Sequence, residues 1–275
     1  MNSLPKVLRT LSLLIALCLL LVACGGSTST TPSSPAATVT LNVFAAASLT
    51  ESFTAIAAQY QQMHPDIAIK INFAGSQILE QQIANGAPAD IFASADLANM
   101  MKASTAGLVG DSQIFVKNRL VVIIPVGNPG KINTLHDLAN KGIKIDIEAP
   151  AVPAGKYSRQ ALANMAKSPD YGPAYESAVL ANIVSQEDNV KAVVTKVQLG
   201  EADAGFVYRT DVTDAVASKL TVIPIPDPFN VIAEYPIAVV KNSAHASDAQ
   251  AFIQYILSPD GQAILTKFHF ISVNG

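Results

Sequence analysis

The sequence predicts an α/β fold made of doubly wound sheets. Two observations carry that prediction: strand-like and helix-like segments alternate along most of the chain, and glycines stand where the helical patterns stop. Residues 39–44 (VTLNVF) read as a strand, and a helix follows over 49–63. Its apolar positions Leu49, Phe53, Ile56, Ala57 and Tyr60 recur at spacings of three and four. Residues 67–73 (IAIKINF) alternate as a strand does, and 77–84 form a helix ended by Asn85-Gly86. Residues 91–93 are a short buried strand, and 120–124 (LVVII) a fully apolar one closed by Pro125. A helix begins at Asn133 and stops near Gly142, before a strand over 143–147 and a helix over 155–167. Residues 190–199 are helical up to Gly200, and 205–208 return as a strand. Residues 220–225 and 237–240 are β-like, and helices over 248–257 and 260–268 close the chain. Such alternation implies parallel sheets covered on both faces.

The first residues stand apart from this body. Lys6 and Arg9 precede an apolar run over 11–22, long enough for a signal-peptide core and short of the roughly 20 residues a spanning helix needs. The run ends in Leu21-Val22-Ala23-Cys24-Gly25-Gly26, which resembles the lipobox of bacterial lipoproteins, in which the cysteine sulfur is acylated and the chain is cut before it. Residues 1–23 are then a leader and Cys24 the lipidation site; the two acyl chains of a diacylglyceryl group suffice for stable anchoring. Residues 24–38 hold, besides Cys24, only Gly, Ser, Thr, Pro and Ala, a composition without charge that makes a tether rather than a core. The destination is the extracytoplasmic face of the cell membrane.

Composition narrows the function. The formal net charge of the whole chain is −3, and loss of the leader removes two cations, so nucleic acid is an unsuitable partner. The only cysteine besides Cys24 is Cys18, in the leader, so the body has neither disulfide nor thiol chemistry. The four histidines are scattered without metal-ligand spacing. There is no GxSxG elbow, phosphate-cradling Gly-rich loop or HExxH. Glu187 and Asp188 are adjacent and diverge on a helix, and Asp90 and Asp96 read as caps or surface groups. No catalytic residue and no cofactor is expected.

What the sequence does repeat is a strand, a small or hydroxyl residue, and a helix start. The junctions are Ala45-Ala46-Ala47-Ser48-Leu49, Ala74-Gly75-Ser76-Gln77, Val152-Pro153-Ala154-Gly155 and Asp188-Asn189-Val190. Each exposes unpaired backbone N–H groups at the positive end of a helix, where an anion is favoured. In doubly wound sheets these junctions lie at the carboxyl ends of the strands, where ligands bind. Each also has a plain local reading. Ser48-Leu49-Thr50-Glu51 matches a capping box, Ser76 is an ordinary N-cap candidate, and Tyr208 fits a half-buried strand tyrosine.

Several stretches together resemble the periplasmic molybdate-binding proteins of bacterial ABC importers. They are VFAAASLTESF (43–53), INFAGSQILEQQI (71–83), GAPADIFASAD (86–96), VPAGKYSRQAL (152–162), EDNVKAVVTKVQLGEADAGFVYRTD (187–211) and YILSPDGQAILTKFHF (255–270). The resemblance implies the type II periplasmic-binding-protein fold: two α/β lobes, joined by two crossing strands, with a ligand cleft between them. The crossings are expected near 120–124 and 237–240, with lobe 1 comprising 39–121 plus 238–275 and lobe 2 comprising 122–237. It also implies an oxyanion held by Ser48, Ser76, Ala154, Val190 and Tyr208. Two departures are visible: a long stretch between VPAG and Asn189-Val190, and the ending His269-Phe270-Ile271-Ser272. The implied partners are molybdate, an importer permease and, through the lipid, the membrane, with the protein a monomer.

The chemistry suits that ligand. Molybdate at neutral pH is a tetrahedral dianion with no proton to donate, and five to seven hydrogen bonds of about 1.5–3 kcal/mol each would compensate its burial. A donor-only site leaves the proton of hydrogen phosphate unpaired, and a rigid cage reaches the smaller sulfate poorly. Tungstate matches molybdate in size and charge. A tungstate or sulfate receptor, a ligand-sensing module that transports nothing, and an enzyme on the same scaffold are the competing readings.

Overall fold

The computed structural model describes residues 39–273; the expectations for the leader, Cys24 and the tether fall outside the described residues. Ten strands run in chain order as β1 (Val39–Ala46), β2 (Ile67–Ala74), β3 (Ile91–Ala93), β4 (Gln113–Pro125), β5 (Ile145–Glu148), β6 (Ile183–Glu187), β7 (Ala204–Tyr208), β8 (Leu220–Pro224), β9 (Ile232–Val239) and β10 (Ile271–Ser272). Nine α-helices accompany them among the described residues: α1 (Thr50–Met63), α2 (Ser76–Ala84), α3 (Leu97–Thr105), α4 (Pro153–Ala166), α5 (Tyr175–Ala181), α6 (Val190–Leu199), α7 (Asp214–Ala217), α8 (Ala246–Leu257) and α9 (Pro259–Lys267).

The strands follow the order β2-β1-β3-β9-β4-β7-β5-β6, with β8 and β10 also on β4. The sheet is therefore mixed, not wholly parallel. β2, β1 and β3 form one parallel run, and β7, β5 and β6 form a second. Between them stand β9 and β4, antiparallel to each other and to the runs they border. The 13-residue β4 changes partners midway. Residues up to Arg119 pair with β9, and from Leu120 onward the partners are β7 and β8.

Local chemistry explains where sequence patterns and elements diverge. β4 begins seven residues before the apolar LVVII segment, because its first half carries Lys117, Asn118 and Arg119 and does not read as apolar. Asn118 is nevertheless fully buried, its amide spent on Thr210 and Tyr235 hydroxyls at 2.9 and 3.2 Å. β9 begins at Ile232, not 237; Glu234 and Pro236 obscure it, although Pro236 still takes part through its carbonyl, which accepts the Ser94 N–H. The helix expected from Asn133 is only a 3-10 turn, Leu135–Ala139, closed by a Thr134–Asp137 capping box and left at the extended Asn140. α3, α5 and β6 were not marked by periodicity. α3 has Asp96 as its N-cap, accepting the Asn99 N–H at 3.0 Å, in line with the reading of Asp96 as a cap. Gly86 and Gly200, at φ of 84° and 74°, supply the left-handed ends that stop α2 and α6.

Three apolar clusters fill the layers. The largest packs α1, α8 and α9, and on the other run α4 and α5, against the strands. A second lies under α2 and α3 around Phe92, Leu79 and Met100. The third joins α6 to β7 and the apolar half of β4 through Val193, Val194, Val197, Val121 and Ile123. Among the described residues no helix is long and apolar enough to cross a membrane.

The approach of α6 to β7 depends on Gly205. A Cβ there would stand 2.7 Å from Val193 Cγ1 and 2.9 Å from Val197 Cγ2. Gly205→Ala is expected to destabilise the fold by about 1–3 kcal/mol through overpacking, read as a lower urea midpoint at unchanged slope. An unchanged midpoint would mean that the helix shifts outward without cost.

Candidate anion-binding site

The parallel runs place the carboxyl ends of β1, β2, β5, β6 and β7 around one small cavity. It is lined by Ser48, Ser76, Val190, Tyr208, Glu148 and neighbouring small residues, and leaves about 10 Å³ for the centre of a water-sized sphere. That is room for about one water molecule.

Each lining segment is a strand-to-helix junction. After β1 the chain makes a 3-10 turn, Ala47–Leu49, before α1. Ser48 is buried, and its Oγ lies 2.9 Å from the Tyr235 hydroxyl, so the capping box expected of Ser48 and Glu51 does not form. Thr50 instead donates to the Ala47 carbonyl at 2.7 Å. After β2 the N-cap is Gly75, not Ser76. Ser76 is the first helical residue, and its Oγ accepts the Ala95 N–H at 3.0 Å. After β5 the N-cap is Val152, with Pro153 at the first helical position, where its missing N–H costs nothing. After β6 the N-cap is Asn189, whose side chain accepts the Ala192 N–H at 3.2 Å. Four of the five residues implied by the family resemblance thus line one cavity: Ser48, Ser76, Val190 and Tyr208. Ala154 does not. It is buried in the first turn of α4, and its neighbours Val152 and Pro153 form that part of the wall.

The hydroxyls are oriented by their surroundings. Asn118 Nδ2 donates to the Tyr235 oxygen at 3.2 Å. With that oxygen accepting, the Tyr235 O–H is free to donate to Ser48, which leaves the Ser48 proton available to the cavity. Ser76 accepts from Ala95 and likewise keeps its own proton. The Tyr208 hydroxyl is buried, lines the same cavity, and has no hydrogen-bond partner. Burial pushes its pKa well above the ordinary tyrosine value, so it is a donor. A buried polar group without a partner costs free energy, and an acceptor in the cavity would relieve that cost.

One lining residue escaped the sequence reading. Glu148 ends β5 and is buried at the cavity wall; its Oε2 accepts the Gly155 N–H from the first turn of α4 at 3.1 Å. Burial, reinforced by Asp211 and Asp188, pushes its carboxyl up to about 8 despite the Gly155 and Ala154 N–H groups. The signal was available: an acidic residue closing the apolar strand IDIE, immediately before a junction of the binding kind.

The two halves of the sheet meet across the cavity. Gln77 Nε2 donates to the Asp188 carbonyl at 3.0 Å, and Gly75 comes so near that a Cβ there would lie 2.2 Å from the same oxygen. Lys191 on α6 pairs with Glu51 on α1 at 2.8 Å and reaches Asp211 at 3.5 Å. Glu187 and Asp188 do not diverge on a helix: Glu187 ends β6 and pairs with Lys196 at 2.5 Å, while Asp188 lies in the following turn. Asp90 is structural, accepting from Asn42 N–H at 2.7 Å and from Ser243 at 2.6 Å. Among the described residues no group of three or more His, Cys, Asp or Glu could hold a metal ion.

Converging helix N-termini and oriented hydroxyls at the switch between two parallel runs define a receptor for a small solute. Residues 41–271 match the family model of the bacterial extracellular solute-binding protein, and the chain belongs to that family. It is 36% identical over 255 residues to the molybdate-binding protein ModA of Mycobacterium tuberculosis, covering 91% of this chain and 92% of the relative. It is 31% identical over 257 residues to YvgL of Bacillus subtilis, named as an ABC transporter substrate-binding lipoprotein, covering 92% and 93%. Among solved structures, the periplasmic molybdate-binding protein of Azotobacter vinelandii aligns with a TM-score of 0.72 at 24% identity, over 84% of this chain and 98% of that one. The sulfate-binding protein SubI of M. tuberculosis aligns at 0.77 with 17% identity, over 86% and 88%. The fold is that of the type II periplasmic binding proteins, and the family is one of solute-binding transport proteins.

Three buried carboxyls give the protein a defined pH response. Besides Glu148, burial and the neighbouring Glu187 push Asp146 up to about 7, and burial pushes Asp211 up to about 6 against the pull of Lys191. Each folded-state pKa lies above its unfolded value, so the native state binds more protons. The associated stability is complete below about pH 4 and is lost as pH rises through these values. Glu187 moves oppositely: bonds from Lys196 and Ser185 outweigh its burial and hold it low, so its effect is confined to more acidic solution. The urea midpoint of ligand-free protein is expected to fall between about pH 4 and pH 8, less steeply in Asp146→Asn. A midpoint that rises across that range would contradict this assignment.

Proposed function

We propose that this chain captures molybdate in the cavity and delivers it to the permease of an ABC importer, with tungstate an equivalent ligand. The observation that carries the reading is the buried, partnerless Tyr208 hydroxyl in a chamber built from helix N-termini and two serines. The names of the relatives, molybdate-binding over nine-tenths of the chain, support the same ligand.

A tetrahedral dianion fits this donor set. The N-termini of α1, α2, α4 and α6 each offer up to about half a positive charge, enough between them to offset a dianion without a Lys or Arg. Ser48, Ser76 and Tyr208 add three O–H donors, and the backbone around Val190 supplies N–H groups. At the start of α4 the Ala154 and Gly155 N–H groups are taken by Glu148, so that helix acts through its dipole and through this carboxyl. Sulfate is the rival ligand of the same charge. The likeness to SubI, at 17% identity, is one of fold, so it does not favour sulfate.

The ligand sits between two lobes in this reading. One carries β1, β2 and β3, the other β5, β6 and β7, and the chain crosses near residues 119–120 of β4, at the edge of the expected 120–124, and again over 225–231 rather than over 237–240. Those crossings follow the change of partners in β4 and the position of β9 wholly beside β3 and the first half of β4. Contacts from Gln77 and Lys191 then hold the lobes closed over the anion. The protein acts as a monomer on the extracytoplasmic side, tethered through a lipid on Cys24, as the name of its Bacillus relative suggests.

Calorimetry against molybdate, tungstate, sulfate and phosphate tests the ligand; tighter binding of sulfate than of molybdate would overturn the reading. Ser48→Ala, Ser76→Ala and Tyr208→Phe are each expected to weaken molybdate binding by about 10- to 100-fold, the worth of a hydrogen bond to a charged group. Unchanged affinity in all three would remove them from the site. Cys24→Ala is expected to move the expressed protein from the detergent phase to the aqueous phase on detergent partitioning of cells. An unmodified partition would exclude the lipid anchor.

A further inference from the structure

Glu148 is the one acidic side chain in the cavity wall, and the donor set alone does not account for it. An ionised carboxylate beside a bound dianion would repel it and would compete for the same N–H groups. The geometry argues against that ionised state. Glu148 is 3% exposed, and among the described residues no Lys, Arg or His forms an ion pair with it. The groups that act on its carboxyl are acids and neutral N–H donors. From α4 come the Gly155 and Ala154 N–H groups, and Tyr157 stands on the same helix. From the turn after β7 comes Asp211, and from the turn after β6 comes Asp188. Tyr208 and Tyr235, both buried phenols, face it from β7 and β9. Arg159 donates to the Glu148 backbone carbonyl at 2.9 Å, to the Gly155 carbonyl and to Gln186, and Lys191 pairs with Glu51 and Asp211; neither forms an ion pair with the Glu148 carboxyl.

We propose that Glu148 is a specificity-determining residue that binds the oxyanion in its protonated form, giving the site one more O–H donor and selecting oxyanions that carry no proton of their own. One carboxyl oxygen accepts the Gly155 N–H, and the other holds the proton for the ligand. This rests on the reading of the cavity as an oxyanion site. The upward displacement of this carboxyl to about 8 agrees with it, and a dianion in the cavity pushes the group further the same way. Ligand capture above that pH therefore takes up a proton from solvent, and Glu148 donates to the anion without transferring its proton. A protonated oxyanion such as hydrogen phosphate meets a wall of donors and leaves its own O–H unpaired.

The test is calorimetry with molybdate across pH 6.5 to 9.5, in pairs of buffers with different heats of ionisation. Wild type is expected to hold constant affinity at neutral pH and to lose about tenfold per pH unit at the alkaline end, taking up about one proton per molybdate there. Glu148→Gln keeps a neutral side chain that can donate, and is expected to bind within about tenfold of wild type at neutral pH, with neither the slope nor the proton uptake. Absence of proton uptake by wild type at alkaline pH overturns the proposal without needing a variant, as does an unchanged slope in Glu148→Gln. If molybdate does not bind, the ligand reading fails by itself, and the same series is run with tungstate or sulfate. Failure of all three to bind overturns both.

Discussion

As an oxyanion site, the structure depends on one electrostatic constraint: a small cavity in which backbone dipoles and hydroxyl protons, not side-chain cations, supply the positive potential. A lysine or arginine in the wall would attract any anion and leave a buried charge whenever the cavity was empty. Helix N-termini avoid that cost, because their N–H groups are fixed by the fold and partly satisfied by N-caps. Asn189 bonded to Ala192 N–H and Glu148 bonded to Gly155 N–H show how the wall is held in place. Gathering several such termini at one point is a demand on topology, and the mixed sheet meets it.

Two parallel runs each bring their helix starts to the carboxyl edge, and the antiparallel pair β4 and β9 sets these edges against one another. Two glycines make the final approach possible. At Gly75 and Gly155 a Cβ would lie 2.2 Å from a backbone carbonyl, from Asp188 across the cavity in one case and from Ala149 in the other. Close backbone approach is what allows N–H groups to reach a small ligand directly. The contacts that join the two halves, Gln77 to Asp188 and Lys191 to Glu51, are partly exposed and individually weak.

Much of this was legible in the sequence, for identifiable reasons. The helix starts after β1, β2, β5 and β6 could be read from small residues at strand ends, and the glycine stops from αL preference. What local pattern could not give was the direction of a side chain. Ser48 has every mark of a capping-box serine, yet it turns to Tyr235, a residue 187 positions away that enters through β9. Ser76 looks like an N-cap and is the first residue inside the helix. Long-range partners decide these cases, and neither periodicity nor spacing reports them. The polar half of β4 was hidden for a related reason: Asn118 is tolerable in a buried strand only because Thr210 and Tyr235 come to meet it.

That same asparagine shows how far from the ligand the site's chemistry is set. A serine between two possible partners can present either its lone pairs or its proton. Asn118 donates to the Tyr235 oxygen, Tyr235 can then donate to Ser48, and the Ser48 proton is left for an acceptor in the cavity. Ala95 does the same for Ser76 with a single N–H. In the proposed reading, Tyr208 and protonated Glu148 complete a wall in which the hydroxylic hydrogens can all point inward. An oxyanion without a proton satisfies every one of them, whereas a protonated one must leave at least one donor facing another. Selectivity by protonation state then follows from hydrogen-bond direction alone, and size need only separate ligands of equal charge.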